Sequence, residues 1–190
     1  MKYDGQQIDM VWIDLDDTLI DFKGASRIAL RKVYDEERLD RFFSSPKAWE
    51  MAYEQHNYHL WQLYSGAKVD QPTLRMERFR LPLVEADIAD DIARSMSARM
   101  DPVYLQYLAD ASTVLPGAIE LIDTLKGTGV PVGILSNGFT EVQNRKLQVT
   151  GLDKMIDLMV LSDEIGINKP NAGLFEHAMK RARQSSPSAH

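Results

Sequence analysis

Residues 10–20 read MVWIDLDDTLI, an apolar run that changes abruptly into a cluster of acidic residues. A continuous apolar run of this length, rich in strand formers, predicts a strand that is buried on both faces, as in a parallel sheet. The pattern recurs at residues 130–135, VPVGIL, before Ser136, and at residues 156–161, IDLMVL, before Ser162. Three such runs predict a parallel sheet whose strands all end in polar residues.

Helical patterns separate these strands. Pro116 and Gly117 mark a turn, after which the apolar residues up to Gly127 recur at helical spacing. Pro170 suits the first turn of a further helix, where its missing N–H costs nothing. Because strand and helix alternate, the two ends of the chain predict an α/β unit with right-handed crossovers.

The middle of the chain, residues 22–113, contains no alternating strand pattern. Its apolar and aromatic residues recur at steps of three and four, which predicts an all-helical insertion. We therefore expect two domains. Residues 1–21 and 114–190 form a discontinuous α/β core, and residues 22–113 form the helical insertion.

Three helices are predicted most clearly within the insertion. One covers residues 49–63 and ends at Gly66, one covers residues 88–96, and a short one covers residues 103–108 after Pro102. Twelve of the 16 aromatic residues lie in the insertion, where helical spacing is typical of a hydrophobic core, although an exposed ring could stack a base. The basic residues are predicted to form a solvated helix face: Arg75, Arg78 and Arg80.

The candidate functional residues lie where the predicted strands end, because ligands of open parallel sheets bind outside the carboxyl ends of the strands. Asp14 and Asp16 are two residues apart, so their side chains leave an extended segment on the same face. Two converging carboxylates repel each other, and a divalent cation such as Mg²⁺ would relieve that repulsion. The alternative is a solvated turn, since Asp and Asn favour turns, where their side chains can hydrogen-bond to the nearby backbone.

The other predicted strand ends add the groups that an anion would need. A hydroxyl, backbone N–H groups and a lysine facing the two carboxylates would complete a phosphate site. These groups are supplied by Ser136, Asn137 and Gly138 after the second strand and by Lys169 after the third.

The composition of the chain argues against several classes of binding partner and of chemical site. The net charge of −6 argues against nucleic acid, because proteins that bind its phosphate backbone are usually basic. The absence of cysteine excludes disulfides, thiolate metal sites and cysteine nucleophiles. No apolar run reaches the roughly 18 residues that span a bilayer, and the first ten residues do not resemble a secretory signal. We therefore expect a cytoplasmic protein with neither a nucleic acid nor a membrane as its partner.

Four segments resemble the haloacid dehalogenase (HAD) superfamily of hydrolases. IDLDDTLID, residues 13–21, resembles the first motif of that superfamily, and ILSNG, residues 134–138, resembles the second. NKP, residues 168–170, resembles the third, and LPGAIELIDTLKGTG, residues 115–129, is similar to the helix before the second motif. The resemblance implies a Rossmann-like parallel sheet core, with the helical insertion as the cap domain.

The resemblance also implies the reaction. Asp14 would attack phosphorus and form an aspartyl-phosphate, which is a known covalent strategy. Asp16 would protonate the leaving oxygen and then activate the water that hydrolyses the intermediate. Mg²⁺ would be bound by the Asp14 carboxylate and the Asp16 backbone carbonyl.

The remaining motif residues are implied to bind the small phosphorylated substrate. Phosphoryl transfer needs mostly positioning and charge neutralisation, which these groups can supply. Thr18 would fix the loop, Ser136 and Lys169 would hold the phosphoryl oxygens, and Asn137 and Gly138 would offer backbone donors.

Asp16 favours a phosphatase, since the first motif of the dehalogenases lacks a second Asp. The DDT variant of the first motif, together with SNG in the second, resembles the 5′-nucleotidase branch, whose substrates are nucleoside 5′-monophosphates. A sugar-phosphate phosphatase and a phosphoglucomutase-like enzyme are alternatives with the same Asp pair. An alternative of another class is a catalytically incomplete HAD fold that binds a ligand or a partner.

One departure from the HAD pattern concerns the fourth motif, an acidic segment on a fourth strand that completes the metal site. After the third-motif helix, the sequence continues only as QSSPSAH, so we expect a core that is truncated before its fourth strand. The first strand would then expose an edge, and we expect this edge to favour a homo-oligomer.

Overall fold

The computed structural model describes residues 2–4 and 6–185 of the chain. The chain divides into two compact units. Met1–Phe22 and Ser112–His190 form one unit, called the α/β unit below, and Lys23–Ala111 form the other, called the helical unit. The predicted fold class, α/β with an inserted helical segment, is confirmed.

Among the residues that the structure describes, strands occur only in the α/β unit. A short antiparallel hairpin comes first, formed by β1 (Lys2–Tyr3) and β2 (Gln6–Gln7). Three parallel strands follow in the order β3–β4–β5, which matches the predicted sheet. Their bounds are Val11–Ile13 for β3, Val132–Ser136 for β4 and Leu158–Leu161 for β5.

The strands β3 and β4 differ in burial. Every residue of β4 is buried, whereas Val11, Trp12 and Ile13 of β3 each keep part of their surface exposed. The prediction that the first strand is buried on both faces is therefore wrong. β3 lies at the edge of the described sheet and has β4 as its one neighbour there. Pairing of this edge with a second copy of the chain remains a prediction.

Three helices cover the sheet: α5 (Ala118–Gly127), α6 (Thr140–Thr150) and α7 (Ala172–Ser185). Neighbouring residues of β4 point to opposite faces, as strand geometry requires. Ile134 packs in a cluster with residues of α5 and α6, and Leu135 packs in another with residues of α7. The helices α5 and α7 confirm predicted elements.

Two details of these helices differ from the prediction. Pro170 precedes α7 by two residues, and the helix begins after Asn171, whose Oδ1 accepts a hydrogen bond of 2.9 Å from the Gly173 N–H. No sequence pattern above predicts α6. Its buried face contains two apolar and two polar residues, so apolar spacing alone does not reveal it: Val142, Gln143, Lys146 and Leu147.

The helical unit contains four α-helices: α1 (Phe22–Glu36, whose first residue belongs to the α/β unit), α2 (Pro46–Ser65), α3 (Gln71–Glu85) and α4 (Asp90–Asp110). The start of α2 is fixed by Ser45, whose hydroxyl accepts a hydrogen bond of 3.1 Å from the Ala48 N–H. Its end at Gly66 is as predicted. No helix in the described part of the chain is both long and apolar enough to cross a membrane.

The two helices predicted around Pro102 are one, because α4 continues through this residue. A proline inside a helix removes a hydrogen bond and costs about 3 kcal/mol. Packing outweighs that cost here, since α4 buries an apolar face on both sides of the proline. The buried apolar residues of that face include Ala93, Met96, Met100, Tyr104, Leu105 and Leu108.

The core of the helical unit is aromatic. Trp49, Tyr53, Phe79 and Tyr104 are all buried, with ring centroids of contacting pairs 5.0–6.3 Å apart. Offset and edge-to-face contacts of this kind stabilise a core beyond the area they bury. The structural role predicted for helix-spaced aromatic residues is confirmed for these four.

The predicted solvated face of arginines is wrong. Arg78 is buried and forms an ion pair of 2.5 Å with Asp101. Arg75 also pairs with Asp101, at 2.7 Å, and the Arg80 side chain is only 16% exposed beside Glu77. The sequence pattern missed this because the acidic partner of Arg75 and Arg78 lies on another helix, α4.

Candidate active site

The polar ends of β3 and β4 and the segment before α7 meet at one edge of the sheet. Asp14 follows the last residue of β3, and Ser136 is the last residue of β4. Lys169 lies three residues before α7. Parallel strands bring their carboxyl ends to the same edge, so this is where the sequence predicted a ligand site.

Asp14 and Lys169 form the most exposed ion pair of this edge. The Lys169 Nζ lies 2.8 Å from Asp14 Oδ1, and the same Nζ donates to the Leu135 carbonyl at 2.7 Å. Asp14 Oδ1 also accepts a hydrogen bond of 2.8 Å from the Leu15 N–H. The Asp14 side chain is 45% exposed, so the carboxylate is both oriented and accessible to a substrate.

A tight loop holds the residues after Asp14. The Leu15 carbonyl accepts hydrogen bonds from the N–H groups of Thr18, Leu19 and Ile20, at 2.9–3.4 Å. Asp17 has a left-handed φ of 55°, which Asp tolerates better than most residues. Thr18 lies exposed on this turn, while Leu15, Leu19 and Ile20 are buried beneath it and anchor the loop.

Asn137 fixes the main chain of Lys169. Its Nδ2 donates to the Lys169 carbonyl at 3.1 Å, and its Oδ1 accepts a hydrogen bond of 2.7 Å from the Lys169 N–H. The backbone N–H of Gly138 donates to Ser136 Oγ at 3.1 Å. A side chain at Gly138 would collide with the side chain of Gln143, which would then have to move.

Asp16 is held by two residues that the sequence patterns did not single out. Lys146 Nζ lies 2.6 Å from Asp16 Oδ1, and Gln143 Nε2 donates to Asp16 Oδ2 at 2.8 Å. Both residues belong to α6 and are buried. The crossover after β4 required a helix, but nothing in the local sequence marked these two polar residues as buried.

The site therefore contains two carboxylates and two lysines in separate pairs. The Asp14–Lys169 pair is open, with side chains 45% and 21% exposed. The Asp16–Lys146 pair is more enclosed, with side chains 27% and 2% exposed. An incoming anion can compete for Lys169 more readily than for the buried Lys146.

The residues that could hold a cation are Asp14 and Asp16. The Leu15 N–H and Lys169 both contact Asp14 Oδ1, whereas Oδ2 has no hydrogen bond or ion pair with the described residues. With the Asp16 carbonyl, Oδ2 offers the hard oxygen donors that suit Mg²⁺, an ion that keeps several waters and needs few protein ligands. No group of three or more acidic or histidine residues that could hold a metal occurs within residues 2–4 and 6–185.

Comparison with known proteins identifies relatives of this chain. The chain is 28% identical over 174 residues to the pyrimidine 5′-nucleotidase YjjG of Escherichia coli, covering 92% of this chain and 71% of that protein. It is 28% identical over 163 residues to the pyrimidine 5′-nucleotidase PynA of Streptococcus pneumoniae, covering 86% and 65%.

Solved structures share the fold. The magnesium-bound crystal structure of the putative HAD-hydrolase YfnB from Bacillus subtilis matches with a TM-score of 0.78 at 24% identity, covering 95% of this chain and 77% of that one. The family model for haloacid dehalogenase-like hydrolases matches residues 8–189. The resemblance inferred from the motifs is confirmed, and the chain belongs to the haloacid dehalogenase-like hydrolase family.

Proposed function

We propose that this protein is a magnesium-dependent phosphatase that hydrolyses a small phosphomonoester through a phosphorylated Asp14. The observation that carries the proposal is the accessible Asp14 carboxylate, oriented by the Leu15 N–H and paired with Lys169 at 2.8 Å. Asp16, two residues along the same loop, supplies a second carboxylate. The nucleophile and the acid/base residue are thus separate groups with separate lysine partners.

In the first step, an Asp14 carboxylate oxygen forms a bond to phosphorus as the ester P–O bond breaks. The leaving alkoxide takes a proton from Asp16. Lys169 and the Ser136 hydroxyl stabilise the charge on the phosphoryl oxygens, because fixed donors in a preorganised site need no reorganisation during the reaction. The arriving phosphoryl group replaces Asp14 as the partner of Lys169.

In the second step, a water molecule attacks the phosphorus of phospho-Asp14 and gives its proton to Asp16. The bond between phosphorus and the Asp14 oxygen breaks, inorganic phosphate leaves, Asp14 is again a carboxylate, and Asp16 again carries the proton that the next leaving group takes. Mg²⁺, held by the Asp14 carboxylate and the Asp16 carbonyl, would supply charge neutralisation for the phosphoryl oxygens.

We propose nucleoside 5′-monophosphates as the substrate class, with the helical unit as the cap domain. The support is the similarity to YjjG and PynA, which are named pyrimidine 5′-nucleotidases. Sugar phosphates are the second candidate, because the same Asp pair serves phosphatases of sugar phosphates and phosphoglucomutase-like enzymes. The four core aromatic residues of the helical unit are buried, so base recognition would fall to other residues.

The test is phosphate release from a panel of nucleoside 5′-monophosphates and sugar phosphates, with Mg²⁺ and with EDTA. We expect magnesium-dependent release that is fastest for a pyrimidine nucleoside monophosphate. Faster release from a sugar phosphate would select the second candidate. No release from a folded chain would contradict the proposal and favour a ligand-binding protein without turnover, which calorimetry with the same panel would detect.

A further inference from the structure

Gln143 and Lys146, called the α6 pair below, are buried polar residues that the reaction steps do not use. Lys146 is 2% exposed and Gln143 is fully buried. Buried polar side chains almost always have partners, and those of the α6 pair are residues of the candidate active site. The pair is therefore a candidate for a role in the reaction.

Lys146 fixes one oxygen of Asp16. Its ammonium lies 2.6 Å from Asp16 Oδ1 and 5.0 Å from the centre of the Phe22 ring. A buried ammonium requires a compensating charge, and the aromatic face adds a further favourable contact. Because the Lys146 side chain is buried and cannot turn towards solvent, its ammonium holds Asp16 Oδ1 in one position.

Gln143 fixes the other oxygen of Asp16. Its Nε2 donates to Asp16 Oδ2 and to Ser136 Oγ, both at 2.8 Å. In this orientation the amide NH₂ group faces two oxygen atoms that can accept hydrogen bonds. The amide oxygen of Gln143 is buried without a hydrogen-bond partner, so the orientation is maintained at a cost.

The same contact determines how Ser136 can bind a substrate. Its Oγ accepts hydrogen bonds from the Gly138 N–H at 3.1 Å and from Gln143 Nε2 at 2.8 Å. A hydroxyl has two acceptor positions and one hydrogen to donate. With both acceptor positions occupied, the Ser136 hydroxyl is left as a donor, which is the role that a phosphoryl oxygen needs.

We propose that Gln143 and Lys146 are positioning residues of the phosphatase reaction. They hold both oxygens of Asp16 for proton transfer and leave the Ser136 hydroxyl to donate to the phosphoryl group. This inference rests on the proposed function. It adds that α6 connects the acid/base residue with a phosphate-binding residue through a single amide.

The first variant is Lys146→Met, assayed with a nucleoside monophosphate and with p-nitrophenyl phosphate. We expect kcat for the nucleotide to fall roughly 10- to 100-fold, as for other residues that orient a reacting group, with a change in KM below about threefold. The p-nitrophenolate leaving group needs no proton, so formation of phospho-Asp14 from p-nitrophenyl phosphate should be much less affected. Acid-quenched samples should then contain more phospho-Asp14 than the unsubstituted protein, because its hydrolysis still needs Asp16.

The second variant is Gln143→Leu, which keeps the size of the side chain and removes its donors. We expect both a lower kcat and a KM raised about threefold or more for the nucleotide, because Ser136 loses the contact that directs its hydroxyl. The matched controls are Lys154→Met and Gln148→Leu, two exposed positions of the same unit, and both should retain the kinetics of the unsubstituted protein.

Several outcomes would overturn the inference. One is a kcat within about twofold of the unsubstituted protein for both α6 variants; another is an equal loss in the rate of phospho-Asp14 formation from both substrates, which indicates general damage. If Lys146→Met does not fold, as judged by circular dichroism, Gln143→Leu becomes the only test. It must then slow the formation of phospho-Asp14 more with the nucleotide than with p-nitrophenyl phosphate. An unsubstituted chain without phosphatase activity would instead overturn the proposed function, and the catalytic role of the α6 pair with it.

Discussion

Two ion pairs, one in each unit of this protein, differ in how far they are exposed. In the α/β unit, Asp14 and Lys169 pair at 2.8 Å with side chains 45% and 21% exposed. In the helical unit, Arg78 and Asp101 pair at 2.5 Å with side chains 3% and 10% exposed. The Asp14–Lys169 pair is therefore accessible to an anion, whereas the Arg78–Asp101 pair is enclosed.

The surroundings of Arg78 explain why its pair is structural. Its guanidinium lies 5.2 Å from the Phe79 ring centre and 5.0 Å from that of Tyr104. Burial disfavours the charge of Arg78, but Tyr53 and Asp101 outweigh that effect and raise its pKa above the ordinary value. The Arg78 guanidinium therefore packs within the aromatic core, whereas the Asp14–Lys169 pair is exposed to incoming anions. The following predictions test this difference between the two pairs.

The largest effect should come from Asp14→Asn, which removes the proposed nucleophile. We expect kcat for phosphate release to fall roughly 10⁴-fold or more, with the unfolding midpoint nearly unchanged, because the Asp14 side chain is accessible. The control is Asp153→Asn, at an exposed position of the same unit, which should keep full activity. Substantial release by Asp14→Asn would remove Asp14 from the mechanism.

The next effect concerns stability. Asp101→Asn leaves the Arg78 charge buried without its compensating carboxylate, which should lower the free energy of unfolding by about 3–5 kcal/mol. The control is Asp35→Asn, which breaks an exposed pair with Arg31 and should cost less than about 0.5 kcal/mol. Urea unfolding measures both. Similar losses for the two variants would contradict the contrast between enclosed and accessible pairs.

Lys169→Ala should have a smaller effect on catalysis than Asp14→Asn. We expect kcat/KM to fall roughly 10²- to 10³-fold, because a charged donor to the phosphoryl oxygens is lost while the nucleophile remains. The control is Lys180→Ala, at an exposed position on α7. If steady-state kinetics of the two variants agree, Lys169 has no part in binding the phosphoryl group.

The smallest effect should be the pH dependence of Glu50 in α2. Burial opposes ionisation of this carboxyl, but hydrogen bonds and ion pairs with Arg27 and Lys47 outweigh it and hold its pKa below the usual 4.5. A lowered pKa in the folded state means that the stabilisation is present above pH 4.5 and is lost as the pH falls through the folded-state value.

The difference in stability between the unsubstituted protein and Glu50→Gln should accordingly be about 0.5–1 kcal/mol at pH 7 and shrink towards pH 3. Urea unfolding across this range measures it. Glu54→Gln, an exposed position on the same helix, provides the control and should show no such trend. A difference for Glu50→Gln that grows on acidification would contradict the assignment.

Much of the fold and part of the site were predictable because they depend on local patterns. Apolar runs ending in polar residues located β3, β4 and β5, and the ends of parallel strands had to meet at one edge. The meeting of Asp14 with Lys169 follows from that rule. That rule does not predict the left-handed turn at Asp17, nor which residue contacts each carboxylate oxygen of Asp14 and Asp16.

What sequence patterns missed depends on tertiary partners. The burial of Arg78 requires Asp101, 23 residues away, and the continuity of α4 through Pro102 requires a packed face on both sides. Gln143 and Lys146 look like ordinary surface residues until α6 is placed against Asp16, more than 120 residues earlier in the sequence. Polar residues buried by distant partners leave no local period to detect.

The central claim is that Asp14 carries the phosphoryl group, and mass spectrometry of the acid-quenched protein during turnover tests it most directly. We predict one phosphoryl group on the peptide that contains Asp14, removed by hydroxylamine as an acyl phosphate and absent from Asp14→Asn. Turnover with an unmodified Asp14, under quench conditions that preserve acyl phosphates, or a phosphoryl group on another residue would contradict the account.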